Sequence, residues 1–249
     1  MVRALLVRGS LVGLLAGALA SVVALLLGQA EIGQAVAFDD VRASAPQGPE
    51  TFSRTVQSTL GLASGMLLFG LALGGLFALA YALAQGRLGR LGARGTAGVV
   101  ALGGFVTIVL VPFAKYPANP PAAENAATIG ARTGLYFLLL ALSLCAAALA
   151  VQLGRALTAR LDAWDATVVA ALAYLTVIAL AWAVLPPVEE VPADFPATVL
   201  WSFRLASFAV QATLWATLGL AFGTLTQLSL RSPRADLADT AAGRDSREG

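Results

Sequence analysis

Histidine is absent from the 249 residues, and cysteine and lysine occur once each, as Cys145 and Lys115. Without imidazole or paired thiols the chain can build no disulfide scaffold, no Cys/His zinc site and no nucleophile–histidine pair. Charge is scarce too: 12% of the residues are Asp, Glu, Lys or Arg, against roughly a quarter in an ordinary soluble domain. The remainder is apolar, with 58% hydrophobic residues and a mean hydropathy of +0.80. That balance excludes a soluble enzyme and points to a polytopic membrane protein whose surroundings are lipid, with no nucleic-acid partner. No catalytic constellation and no permanently bound cofactor is expected.

Six stretches contain no Asp, Glu, Lys or Arg: 9–30, 55–86, 95–114, 133–154, 166–188 and 205–230. About 20 apolar residues suffice to cross a bilayer as a helix. The apolar residues run continuously instead of alternating, which favours helices over barrel strands. The expected fold is therefore all-α, a six-helix transmembrane bundle over residues 1–230 with spans near 10–28, 60–84, 97–114, 134–153, 166–185 and 205–228. Residues 231–249, rich in Arg, Asp, Ala and Gly, read as a disordered cytoplasmic tail. Arg3, Arg8 and Ala18-x-Ala20 also fit a signal peptide, which would leave five spans. The length of the apolar run favours an uncleaved helix.

With the N-terminus in the cytoplasm, 11 basic residues fall on inner segments and five on outer loops: Arg42, Arg54, Lys115, Arg132 and Arg204. This is the direction the positive-inside rule requires, so both termini are expected in the cytoplasm of a multi-pass plasma-membrane protein. Eight acids then lie outside: Glu31, Asp39, Asp40, Glu50, Glu124, Glu189, Glu190 and Asp194. Each outer loop carries prolines, an acid, and an Arg just before the next span, at Arg54, Arg132 and Arg204. The pattern fits three helix hairpins descended from one unit, or merely the usual Pro- and charge-rich character of outer loops.

Small residues recur four apart at Gly13/Gly17, Ala16/Ala20/Ala24, Gly61/Gly65, Gly70/Gly74 and Gly219/Gly223. Such ridges let helix backbones approach closely in lipid, within the chain or against a second copy. Trp164, Trp182, Trp201, Tyr116 and Tyr136 fall near span ends, as an aromatic belt should. Cys145 is expected to be inert packing in the fourth span. No ionisable residue lies inside the six cores, so a buried carboxylate relay is excluded. In-span Ser, Thr and Gln line a pathway or hydrogen-bond neighbouring helices.

Two loops carry most of the information. The first, Pro112–Pro121, holds four prolines and the lone lysine; proline lacks an N–H and restricts its predecessor, so a connector is expected there. The second, Leu185-Pro-Pro-Val-Glu-Glu-Val-Pro-Ala-Asp-Phe-Pro196, packs three carboxylates into six residues. Glu189, Glu190 and Asp194, with Glu124 and Asn119, supply candidate oxygen ligands for a hydrated divalent cation. The alternative is that these acids serve topology and solubility. Lys115 is expected to snorkel to the interface or to pair with Glu124 or Glu189.

Lys115-Tyr-Pro-Ala-Asn-Pro-Pro121, Thr128-Ile-Gly-x-Arg-Thr133 and Tyr136-Phe137 resemble the central signature of the predicted cobalt transporter subunit CbtA family. Leu185-Pro-Pro187, Pro192-x-Asp-Phe-Pro196 and Leu200-Trp-x-Phe-Arg-Leu-Ala-Ser207 look like its last outer loop and helix entrance. The resemblance marks Lys115, Tyr116, Pro117, Asn119, Pro120, Pro121, Arg132, Pro186, Pro187 and Arg204 as the motif positions around a gate. It implies a membrane subunit for uptake of Co²⁺, working beside a small single-span companion of the CbtB type that carries the histidines missing here. The runner-up expectation is a structural or assembly subunit that transports nothing itself.

Overall fold

The computed structural model describes residues 2–42, 57–89, 91–120, 123, 128–188 and 190–230; the expected tail at 231–249 and the first loop's Pro46, Pro49, Glu50 and Arg54 lie outside them. The described residues contain helices and no strand. Six helices are long and apolar enough to span a membrane, as the charge-free stretches require. They are α1 (Val2–Arg42, apolar over Val2–Gly28), α2 (Thr59–Ala84), α3 (Ala93–Lys115), α4 (Ile129–Leu157), α5 (Ala163–Val184) and α6 (Ala197–Leu230). Their outward faces are apolar too, with Leu149 70% and Val184 80% exposed, which suits a helix solvated by hydrocarbon rather than water.

Both ends of α4 and the start of α5 lie about a turn beyond the charge-free stretches, whereas α2 lies within its own. Asp162 caps α5 by accepting from the amides of Trp164 (2.8 Å) and Asp165 (2.9 Å), which satisfies two of the donors a helix start leaves open. Pro186 ends α5 by holding Leu185 extended. The turn after α2 uses Gly86 at φ 74° and Gly89 at φ 65°, where a side chain would be strained. α6 starts directly after Pro196, so Arg204 lies inside the helix instead of before it, and Arg132 likewise sits in the first turn of α4.

Two other expectations change. α1 does not stop at residue 28: it runs on to Arg42, because 29–42 contains no proline and Ala35 finds an apolar seat. Pro112 does not begin the connector either, since the helix passes through it to Lys115. A π-helical turn at Phe105–Leu110 precedes it, with the Val111 amide bonding Val106 O. Widening the turn there removes the regular ladder that proline would break.

The chain forms two compact units whose limits cut across the three expected hairpins: Met1–Leu25, Glu50–Gly103 and Ala209–Gly249 in one, Leu26–Pro49 and Gly104–Phe208 in the other. In the first, α1 and α2 cross on their glycines. A Cβ at Gly13 would collide with the Gly70 carbonyl, and one at Gly74 with the Gly9 carbonyl, so this crossing needs glycine on both sides. Gly219 and Gly223 pack on Ala101 and Ala97 in the same way, whereas Gly65 faces open space. Phe222 closes the middle, 5.3 Å from Phe77 and 5.0 Å from Tyr81 edge to face. In the second unit, Val111, Tyr116, Leu139, Ala146 and Ile178 form a core between α3, α4 and α5. Ala35, Ala123, Phe195 and Val199 form another, which ties the α1 extension to the two proline-rich loops.

Candidate functional site

The polar groups of the second unit collect where the 116–128 loop meets the 185–196 loop. Glu190 is the hub. Its side chain is fully buried, and Oε2 lies 3.2 Å from Arg132 Nε. Asn119 Nδ2 donates to Oε2 at 3.3 Å, and the Thr128 hydroxyl to Oε1 at 3.1 Å. A carboxylate buried without partners would cost several kcal/mol, on the order of the penalty for any desolvated ion; two neutral donors and a guanidinium offset that here. Both oxygens are thus committed to joining the loops.

Asn119 passes the connection on. Its Oδ1 accepts from Arg204 at 2.9 Å, and Arg204 Nε donates to Ala118 O at 3.3 Å. Arg132 also donates to Pro117 O. Proline explains why these carbonyls are available: Pro117 and Ala118 enter no helix or sheet, so arginine side chains satisfy their backbone oxygens, while the Pro120 carbonyl accepts from the Ala123 amide at 3.2 Å.

Lys115, at the last turn of α3, donates to Trp182 O at 2.9 Å. That carbonyl belongs to the last turn of α5, whose oxygens have no partner within the helix. The lysine therefore caps a neighbouring helix, a role not among those expected of it. Tyr116 donates to Pro186 O at 2.8 Å, and burial pushes its phenol above the ordinary value, keeping it a neutral donor. Tyr116 and Trp182 pack in the α3–α4–α5 core, not in an aromatic belt. Trp164 and Trp201, 75% and 63% exposed, do face outward near helix starts.

Between these groups lies a pocket of about 330 Å³ whose charged lining consists of Lys115, Arg132, Arg204 and Glu190. Three cations face one carboxylate among the described residues. Of the expected cation ligands, Asn119 and Glu190 come together, Asp194 is exposed on the second loop, and Glu124 and Glu189 lie outside the described residues. Among the described residues no three acids gather in a form able to hold a metal ion. Pro120 is buried, the Pro186 carbonyl accepts from Tyr116, Pro187 follows it outside any helix, and Pro121 lies outside the described residues. Thr128 was missed as a functional residue, although it opens the Thr-Ile-Gly-x-Arg motif.

The in-span hydroxyls mostly turn back on their own helices: Thr176 to Leu172 O at 2.8 Å, Thr217 to Thr213 O at 2.7 Å, Ser64 to Gly61 O at 3.0 Å. Ser143 and Tyr174, 2.9 Å apart, join α4 to α5. Cys145 is exposed on α4, so it faces away from the protein core instead of packing within it.

A family model described as "Probable cobalt transporter subunit (CbtA)" matches residues 2–227. The chain belongs to the CbtA family. The match runs through all six spans and both motif loops, so this CbtA-family chain is a multi-pass membrane protein and a cobalt transporter subunit by family. No curated protein and no solved structure matches it.

Proposed function

We propose that this CbtA-family chain is the membrane subunit through which a cobalt uptake system receives its divalent cation, with the two proline-rich loops as the outer mouth. The observation that carries the reading is the buried Glu190, which bonds Arg132, Thr128 and Asn119 and so couples both motif loops at one pocket. The exposed Asp194, with Glu189 and Glu124, draws the hydrated ion by its field. Glu190 and Asn119 are ligands of a later stage, because Arg132 and Arg204 occupy their oxygens until a divalent ion competes for them. Backbone carbonyls at the proline-broken helix ends then replace part of the ion's water shell.

The arginine distribution supports cytoplasmic termini, a plasma-membrane location, a membrane portion over 1–230 and a cytoplasmic tail at 231–249. The crossing of α1 on α2 through Gly9, Gly13 and Gly70 supports retention of α1 in the mature protein. The chain has no imidazole, which suits a companion subunit that contributes histidines for a borderline metal such as Co²⁺. The test is uptake of radioactive cobalt by cells expressing the chain with and without that companion. The absence of any cobalt-dependent difference in both cases would sink the proposal.

A second reading, an assembly subunit that moves nothing itself, is favoured by one fact: Lys115, Arg132 and Arg204 outnumber Glu190 around the pocket. Changing Glu189→Gln, Glu190→Gln and Asp194→Asn together separates the two. Lost uptake at normal abundance supports an ion path, and intact uptake supports scaffolding.

A further inference from the structure

At the start of α1, Arg3 and Arg8 line a groove of about 760 Å³ together with Val7, Leu11, Leu225 and Leu228. The five-residue offset sets Arg8 about 7.5 Å further along the helix axis than Arg3. Arg8 is held in place from α6: its guanidinium donates to the Thr226 hydroxyl at 3.1 Å and to the Ser229 hydroxyl at 2.6 Å. A lone interfacial arginine would swing toward water; this one is fixed by two acceptors that carry no negative charge. Arg3 is exposed, and no carboxylate among the described residues lines the groove. The four apolar walls are 44–62% exposed.

Two cations at one end of an apolar trough match an amphiphile with an anionic head. An inorganic anion would make no use of the Val and Leu walls. A zwitterionic lipid would bring its own cation to two arginines that have no counter-charge among the described residues. We propose that this groove is a binding site for an anionic phospholipid, its phosphate meeting Arg3 and Arg8 and an acyl chain lying along Val7, Leu11, Leu225 and Leu228. Basic pockets between transmembrane helices bind acidic headgroups on this principle, and the fixed guanidinium adds charge-assisted hydrogen bonds to phosphate. The site is independent of the cobalt reading.

The test uses the full-length protein in mild detergent, loaded with phosphatidylglycerol or phosphatidylcholine and weighed by native mass spectrometry. Phosphatidylglycerol should be retained at least fivefold better, with a roughly fivefold drop for Arg3→Gln, since a basic residue near an anionic surface contributes about 1 kcal/mol. Arg8→Gln should lose more. Should it fail to fold, Arg3→Gln still decides, because Arg3 makes no hydrogen bond to the described residues. Equal retention of the two lipids, or phosphatidylglycerol binding unchanged in Arg3→Gln, would overturn the proposal. So would displacement of the lipid by millimolar inorganic phosphate, which would make this a free-anion site; no displacement is expected.

Discussion

Glu190 shows how far a single residue's role depends on its neighbours. Read along the chain it is one of three acids in a stiff loop, with nothing to set it apart from Glu189 or Asp194. In the folded protein it is buried against Arg132, Asn119 and Thr128, while Asp194 stays exposed. Removing one partner of a buried ion pair leaves the other charge stranded and costs about 3–5 kcal/mol. Arg132→Ala and Glu190→Ala should therefore each lower the melting temperature in detergent markedly, as followed by tryptophan fluorescence. Replacing both with Met should recover much of the loss, because the desolvation penalty then disappears with the charges. Thr128→Ala removes one hydrogen bond to the carboxylate and should cost about 1.5–3 kcal/mol, the range for bonds to charged groups. If Arg132→Ala melts like the parent protein, the pair is not what holds the loops. The motif residues were legible from the chain, but their pairing was not. The partners lie 58 to 71 positions apart, and no local pattern reports which carbonyl an arginine will choose.

At the scale of the helix, existence was legible and contact was not. Six charge-free stretches foretold six spans, because only a helix satisfies its own backbone in hydrocarbon. The ends were less legible: Pro112 reads as a terminator until the π-helical turn before it is known, and 29–42 reads as a loop until Ala35 is seen to be buried. The small-residue ridges illustrate the limit. Gly70/Gly74 and Gly61/Gly65 have the same spacing, yet a Cβ at Gly74 would strike the Gly9 backbone, whereas one at Gly65 meets nothing within 4 Å. Overpacking a well-filled contact costs about 1–3 kcal/mol, and here the clashing atom is a carbonyl that cannot swing aside. Gly74→Ala should thus reduce folded abundance and thermal stability clearly, while Gly65→Ala should be neutral or slightly stabilising, since alanine is the better helix former. Fluorescence-detected size-exclusion chromatography of the two variants side by side measures this. Equal behaviour would mean that α1 and α2 do not cross on these glycines.

For the whole molecule, the decisive question is which side of the membrane each loop faces. The cobalt reading needs the 185–196 loop outside, where Asp194 can meet the ion, and the α2–α3 turn inside. The basis is electrostatic: basic residues near span ends resist translocation, and they concentrate on the segments that include Arg87, Arg90, Arg94, Arg155 and Arg160. The chain offers a clean assay because Cys145 is its only thiol. In a Cys145→Ala background, Ala193→Cys and Gln85→Cys place single thiols at exposed loop positions on the two proposed sides. A membrane-impermeant maleimide applied to intact cells should label Ala193→Cys, and Gln85→Cys should react only after permeabilisation. The unmodified protein should stay unlabelled in both conditions, because Cys145 lies mid-span on α4, a depth that the charged reagent does not enter. The reverse pattern would invert the molecule. It would put the acids of the 185–196 loop in the cytoplasm, turning a site for collecting an incoming ion into one for releasing it, or for exporting it.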